Sequence, residues 1–190
     1  MLLIISQNIT NFNIPLPNDV IFRINLAWIN SIDELKFFLK KLEGSKVFLD
    51  LPIGRTKPPD NKYSFQEILE ILHSQKNIKY FAISNVNSAS DLSHFLNSLP
   101  DHITLVPKIE SPEGIENIKE IVNSLGSEKI LMLDHDDLFS NTIKQNQDSS
   151  KFKVYLSTLV NFCNTNNITL LRTVGVIFSD EEKRITEYVK

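Results

Sequence analysis

Short apolar runs alternate with amphipathic stretches along almost the whole chain. The apolar runs are rich in Ile, Val, Leu and Phe, which is typical of strands buried in a parallel sheet. In most intervening stretches an apolar residue recurs every three or four positions, and this spacing predicts helices with one buried face. The predicted strands cover residues 2–5, 20–26, 46–49, 80–83, 103–106, 129–133 and 168–171.

Serine residues mark the starts of several predicted helices. Ser31 and Ser64 each stand three positions before a glutamate, which is the spacing of a capping box. Ser111 followed by proline predicts another helix start, because serine caps helices and proline fits the first helical position. Residues 152–163 form a further predicted helix, whereas the polar residues 141–150 show no periodic pattern and are interpreted as a loop.

The alternation of strand and helix predicts an α/β fold with parallel strands joined by crossover helices. Residues 174–178 would either extend the seventh strand or form an eighth. We therefore expect a single domain over residues 1–190, built as a minimal or incomplete (β/α)8 TIM-type barrel of about seven to eight parallel strands. An open doubly wound sheet is the alternative, but no glycine-rich phosphate loop follows the first strand.

Composition excludes several classes of partner. The net charge is −3 and no basic run exists, which argues against nucleic acid. The lone Cys163 excludes an intramolecular disulfide and fits a reducing compartment. The apolar N-terminus is too short for a membrane span and lacks the basic flank of a signal peptide. We expect a cytoplasmic protein without a membrane partner, and a homodimer is the hypothesis because an incomplete barrel exposes strand edges.

Charged residues are concentrated where the predicted strands end. In a barrel, the carboxyl ends of all strands converge on one face, where the active site lies. The polar residues at or just past these ends are Asp50, Lys108, Glu110, Asp134, Asp137 and Thr173. A solvated surface charge is the alternative interpretation for each residue taken alone.

The residue types at these ends favour metal-assisted chemistry. Glu110 and Asp137 would provide hard oxygen ligands for one divalent cation, Mg²⁺ or Mn²⁺. Lys108 would stabilise an enolate or move a proton beside that metal. Arg23 and Arg55 would bind a carboxylate or a phosphate.

The segment Lys108-Ile109-Glu110-Ser111-Pro112 resembles the lysine–isoleucine–glutamate segment of pyruvate kinases. It resembles, more loosely, the corresponding segment of citrate lyase β-like and 2-oxo-acid aldolases of the same phosphoenolpyruvate/pyruvate barrel superfamily. In both groups the glutamate binds a divalent metal, and in the kinases the lysine stabilises the enolate. Other short segments that resemble the family lie before and after this one, in the same chain order, over residues 20–178.

The resemblance implies a role for each matching residue. Arg23 and Arg55 would bind substrate, Glu110 and Asp137 would hold the metal, Asn25 and Asp50 would hold a monovalent cation, and Lys108 and Thr173 would be catalytic. Three positions depart from the family pattern. Ala27 and Leu51 replace a serine and a threonine of the monovalent site, and Asp136 replaces a glycine whose backbone approaches the substrate carboxylate. A carboxylate at that position would repel an anionic substrate.

We expect no counterpart of the inserted lid domain or the C-terminal domain of the kinases, and therefore no ATP synthesis by this chain. The expected function is that of a divalent-metal-dependent enzyme or enzyme-like domain, either a pyruvate kinase-like transferase or a lyase. It would bind pyruvate, phosphoenolpyruvate or a related 2-oxo acid and form an enolate at Lys108, Glu110 and Asp137. The alternatives are a non-catalytic, degenerate barrel that serves as a binding or assembly module, and a 2-oxo-acid aldolase or lyase.

Overall fold

The computed structural model describes residues 4–6, 16–55 and 58–172. The strands are β1 Ile4–Ser6, β2 Ile21–Asn25, β3 Lys46–Leu51, β4 Ile78–Ile83, β5 Thr104–Pro107, β6 Ile130–Leu133 and β7 Thr169–Arg172. The helices are α1 Ile32–Lys41, α2 Phe65–Ser74, α3 Ser90–Leu96, α4 Pro112–Glu116, α5 Ile118–Ser124, α6 His135–Lys144 and α7 Lys151–Thr165, and a 3-10 turn covers Leu26–Trp28. Among these described helices, none combines the length and the apolar character that a membrane crossing requires.

The strands stand side by side in the order of the sequence. Strands β1 to β5 form one parallel sheet, and β6 and β7 form a parallel pair. A bridge between Lys108 and Met132 joins the two, and the Ile109 N–H donates to the Met132 carbonyl at 2.8 Å. The predicted α/β fold with parallel strands is therefore confirmed. Within residues 4–6, 16–55 and 58–172 the strands do not close into a barrel, nor does their order reverse as in a doubly wound sheet.

The two faces of the sheet bury different sets of residues. The larger core combines residues from the strands with the apolar stripes of the helices. The smaller core is made of strand residues alone: Ile21, Phe48, Tyr80, Ala82, Val106, Ile130 and Met132, with Ile4 and Leu171 packed against them. Alternate residues of a strand point to the same face. Two positions after a residue of the smaller core, at or just past the carboxyl end of its strand, a polar residue therefore lies on the same face. These residues are Arg23, Asp50, Ser84, Lys108 and Asp134.

The helix starts follow the predicted caps. The side chains of Ser31, Ser64 and Ser111 accept hydrogen bonds from the backbone N–H three positions later. The prediction of a loop over 141–150 is wrong for its first residues, because α6 continues to Lys144. Thr142 takes a buried position in that helix, and its hydroxyl donates to the Leu138 carbonyl at 2.8 Å. This hydrogen bond satisfies the hydroxyl group, so threonine is tolerated at a buried position. An apolar residue there would have completed the periodic pattern that predicts a helix.

Gly114 lies where α4 approaches the loop after β4. A Cβ at this position would stand 2.5 Å from the Val86 carbonyl oxygen, a backbone atom that can move only with its loop. We expect Gly114→Ala to lower the free energy of unfolding by about 1–3 kcal/mol, as overpacking generally does. Denaturant unfolding measures the change, and Gly126→Ala is the matched control because its Cβ would meet no atom within 4 Å. Equal stabilities for the two variants would contradict the close approach.

Candidate functional site

Four charged side chains meet at the carboxyl ends of β2, β3 and β5. Arg23 donates to Asp50 through Nε at 3.0 Å and through its terminal nitrogen. Lys108 Nζ lies 3.6 Å from the same Asp50 oxygen and 3.0 Å from Glu110 Oε1. Asp50, Lys108 and Glu110 are almost completely buried, and Arg23 is partly exposed. Two cations thus face two carboxylates, which makes their burial electrostatically tolerable.

The loop after β4 adds two polar contacts to this network. Lys108 Nζ donates to Ser84 Oγ at 3.0 Å, and the backbone N–H of Asn85 donates to Glu110 Oε2 at 3.0 Å. Asp50 Oδ1 is buried and has no hydrogen-bond partner in the described part of the chain. Glu110 Oε1 is likewise buried without a hydrogen bond among the residues described, although Lys108 Nζ lies 3.0 Å away. Each ionised group therefore has a counter-charge, but two carboxylate oxygens keep accepting capacity.

Burial and pairing act on the pKa values in opposite directions. Burial would raise the pKa of Asp50, but the Lys108 and Arg23 charges outweigh it and hold this pKa below its ordinary value. Burial would lower the pKa of Lys108, but the Asp50 and Glu110 carboxylates outweigh it and raise this pKa. For Glu110 burial prevails over the nearby ammonium, and the pKa of this carboxyl is raised. Lys108 therefore remains an ammonium at neutral pH.

A group of three carboxylates lies beside Lys108. Glu110, Asp134 and Asp137 each offer one oxygen, and these atoms all lie within 4.8 Å of one another. Asp134 caps α6, because its Oδ1 accepts from the backbone N–H groups of Asp136 and Asp137 at 3.1 and 3.2 Å. Glu110 is buried and the other two are partly exposed. This triad can hold a metal ion, as the sequence predicted for two of its members, and hard oxygen donors suit Mg²⁺, Mn²⁺ or Ca²⁺.

Two members of the triad, Glu110 and Asp137, line a small polar cleft of about 50 Å³, which has room for roughly three water molecules. Its walls are Pro52, Gly54, Arg55, Ser84, Asn85, Lys108, Glu110, Asp137, Asn141 and Lys144. A larger cavity of about 550 Å³ lies elsewhere, lined by residues of α5 and α7 with Lys129 and Ile168. No carboxylate lines that cavity, so we take the smaller cleft as the candidate site because the titratable groups converge there.

The remaining predicted site residues have other surroundings. Asn25 Oδ1 accepts from the Ala27 N–H at 3.0 Å and so caps the 3-10 turn. Arg55 lines the cleft, while its Nε donates to the Pro59 carbonyl at 2.8 Å. Asp136 is exposed and is not among the residues that line the cleft. The Asp136 carboxylate is therefore not in contact with the space where a ligand would bind, as the expected repulsion required. Thr173 lies outside the described residues.

Several site residues were not predicted as such. Ser84 and Asn85 follow the end of β4, and Asp134 was recognised at a strand end but not as a metal ligand. One face of α6 lines the cleft, because Asn141 stands four positions and Lys144 seven positions after Asp137. Asn141 Nδ2 also donates to the Glu110 carbonyl at 2.8 Å. That spacing was the signal available, but interpreting residues 141–150 as a loop concealed it.

Comparison with known proteins leaves the family open. No family model and no curated protein matches the chain. Among solved structures, the chain is similar to RipC from Yersinia pestis, with a TM-score of 0.61 and 15% sequence identity. The match covers 98% of this chain and 83% of RipC. At this identity the likeness supports the α/β fold alone.

Proposed function

We propose that the protein is a divalent-metal-dependent enzyme that binds pyruvate, phosphoenolpyruvate or a related 2-oxo acid and stabilises its enolate. The observation that carries this proposal is the triad of Glu110, Asp134 and Asp137 beside a buried, charged Lys108. A metal ion held there would polarise the substrate carbonyl. The same groups would serve a pyruvate kinase-like transferase or a 2-oxo-acid lyase.

Lys108 would act as an ammonium and not as a base, because its pKa is raised by the Asp50 and Glu110 carboxylates, which outweigh its burial. When a base from the solvent removes the proton from the carbon next to the carbonyl, the C–H electron pair would form the C=C bond of the enolate and the carbonyl π pair would move onto the oxygen. The fixed positive charge of Lys108 would then stabilise the oxygen as its negative charge develops, without reorganisation of the site.

Two further features favour an anionic substrate. Arg55 and Lys144 line the cleft from the β3–α2 loop and from α6. Cations in such a position attract a carboxylate and can bind it, with arginine offering a bidentate geometry. Asp136 is exposed and does not line the cleft, so solvent screens its charge from a ligand there.

We also propose that the sheet is part of an incomplete barrel. Each of the seven strands contributes to the smaller core, either within it or packed against it, and the described helices contribute nothing to it. An open parallel sheet normally has helices on both faces. Strand residues that cover one another indicate a sheet curved around its own side chains, as inside a barrel.

A non-catalytic binding module is the second candidate, and one observation favours it. Both cations of the site, the buried Lys108 and the partly exposed Arg23, are already paired with Asp50 and Glu110, and the cleft holds about 50 Å³. A substrate would have to widen the cleft and compete for Lys108. In this alternative the ion-pair network maintains the fold and nothing is turned over.

Calorimetric titration of Mn²⁺, with and without oxalate, tests the proposal. Oxalate mimics the enolate, so its binding should require the metal. We expect wild type to bind Mn²⁺ and Glu110→Gln to bind it more than about tenfold more weakly, since a buried ligand oxygen loses its charge. Glu113→Gln is the control, because Glu113 is exposed on α4. Absence of Mn²⁺ binding by wild type would favour the non-catalytic module.

A further inference from the structure

We infer that Asn85 is a positioning residue that holds the Glu110 carboxylate in its metal-binding orientation. The inference rests on the proposed metal site and names a residue through which that site is assembled. Asn85 would not ligate the metal. Its backbone N–H would fix one oxygen of Glu110, and the other oxygen would face Lys108 and the triad.

The backbone conformation of Asn85 carries the first part of the argument. Its φ is 57°, in the left-handed region that most side chains avoid and that asparagine tolerates. In this conformation its N–H points at Glu110 Oε2, 3.0 Å away. A residue confined to negative φ would turn that N–H away and leave the carboxylate oxygen without its donor.

The side chain of Asn85 carries the second part. Its Nδ2 donates to the Ile53 carbonyl at 2.7 Å, so the loop after β4 is attached to the loop after β3. Gly54 follows with a φ of 67°, and a Cβ there would stand 3.2 Å from Asn85 Nδ2. Two left-handed residues thus meet at the wall of the cleft.

The loop of Asn85 is also attached to the segment that bears Glu110. The Val86 N–H donates to the Lys108 carbonyl at 3.2 Å, and Ser111 Oγ bonds to the Asn87 side chain. Asn117 Nδ2 donates to the Asn87 carbonyl at 2.8 Å. These bonds hold the Asn85 N–H at a constant place relative to Glu110, as a positioning role requires.

Three variants test the inference by Mn²⁺ titration. Asn85→Val disfavours the left-handed conformation and should weaken Mn²⁺ binding about 10–100-fold, the usual effect of losing a group that orients a ligand. Asn85→Gly removes the side chain but keeps the left-handed conformation and the N–H donor, so it should restore most of the affinity. Asn167→Val is the matched control, because Asn167 has a φ of 54° in the α7–β7 turn. It should lose stability without losing Mn²⁺ affinity.

Circular dichroism shows which variants are folded, and an NMR measurement makes the test independent of the valine variant. In wild type the Asn85 amide proton is hydrogen-bonded to the Glu110 carboxylate. Glu110→Gln replaces this acceptor by an uncharged one, so the amide proton resonance should move upfield, whereas in Glu113→Gln it should stay in place. An unmoved resonance, or equal Mn²⁺ affinity of folded Asn85→Val and wild type, would overturn the inference alone. Absence of Mn²⁺ binding by wild type would overturn it together with the proposed function.

Discussion

Asp50→Asn should lower the free energy of unfolding by about 3–5 kcal/mol, the cost of removing one partner from a buried ion pair. Asp50 is fully buried, accepts from Arg23 Nε at 3.0 Å and lies 3.6 Å from Lys108 Nζ. The asparagine has nearly the same shape but no charge, so Glu110 alone would face both cations. Denaturant unfolding measures the change, and Asp101→Asn in an exposed turn is the control with the same chemical change.

The pH dependence of stability gives Asp50 a separate signature. Because the folded state holds the pKa of Asp50 below its ordinary value of 3.8, this carboxylate contributes stability above that pH. The contribution is lost as the pH falls further, through the lowered pKa of the folded state. Asp50→Asn should flatten that acid limb of the stability profile. A loss below about 1 kcal/mol with an unchanged acid limb would mean that the network contributes no more than a surface ion pair.

The convergence of charges could be predicted because it follows from strand direction. Arg23 and Asp50 lie on the neighbouring strands β2 and β3, and Lys108 directly follows β5, which β4 separates from β3. The strands of this sheet are parallel, so their carboxyl ends lie at one edge. The sequence therefore predicted which residues would meet. It could not predict how they pair, because the partner of Lys108 depends on side-chain geometry. Asp50, assigned by resemblance to a monovalent cation, instead faces the cationic groups of Arg23 and Lys108.

The residues that were missed depend on loop and helix geometry. The contact of Asn85 with Glu110 requires a positive φ, and no residue pattern around Asn85 distinguishes it from other asparagines in turns. Asn141 and Lys144 were missed because Thr142 interrupts the apolar stripe of α6. Asp134 signals a helix cap as clearly as a metal ligand, and in the structure it caps α6 while lying in the triad.

Lys108→Met should reduce metal-dependent exchange of the pyruvate methyl protons with solvent deuterium about 10²–10³-fold, followed by ¹H NMR in D₂O with Mg²⁺. This is the usual cost of removing one preorganised group that stabilises a developing oxyanion. The exchange directly reports the formation of the enolate of pyruvate. Lys119→Met is the control, because Lys119 is exposed and lines the other cavity.

If wild type binds Mn²⁺ but folded Lys108→Met exchanges as fast as wild type, the metal alone stabilises the enolate and Lys108 serves the ion-pair network. If wild type binds both Mn²⁺ and pyruvate without any exchange, the site binds these ligands and the proposed enolate chemistry is wrong.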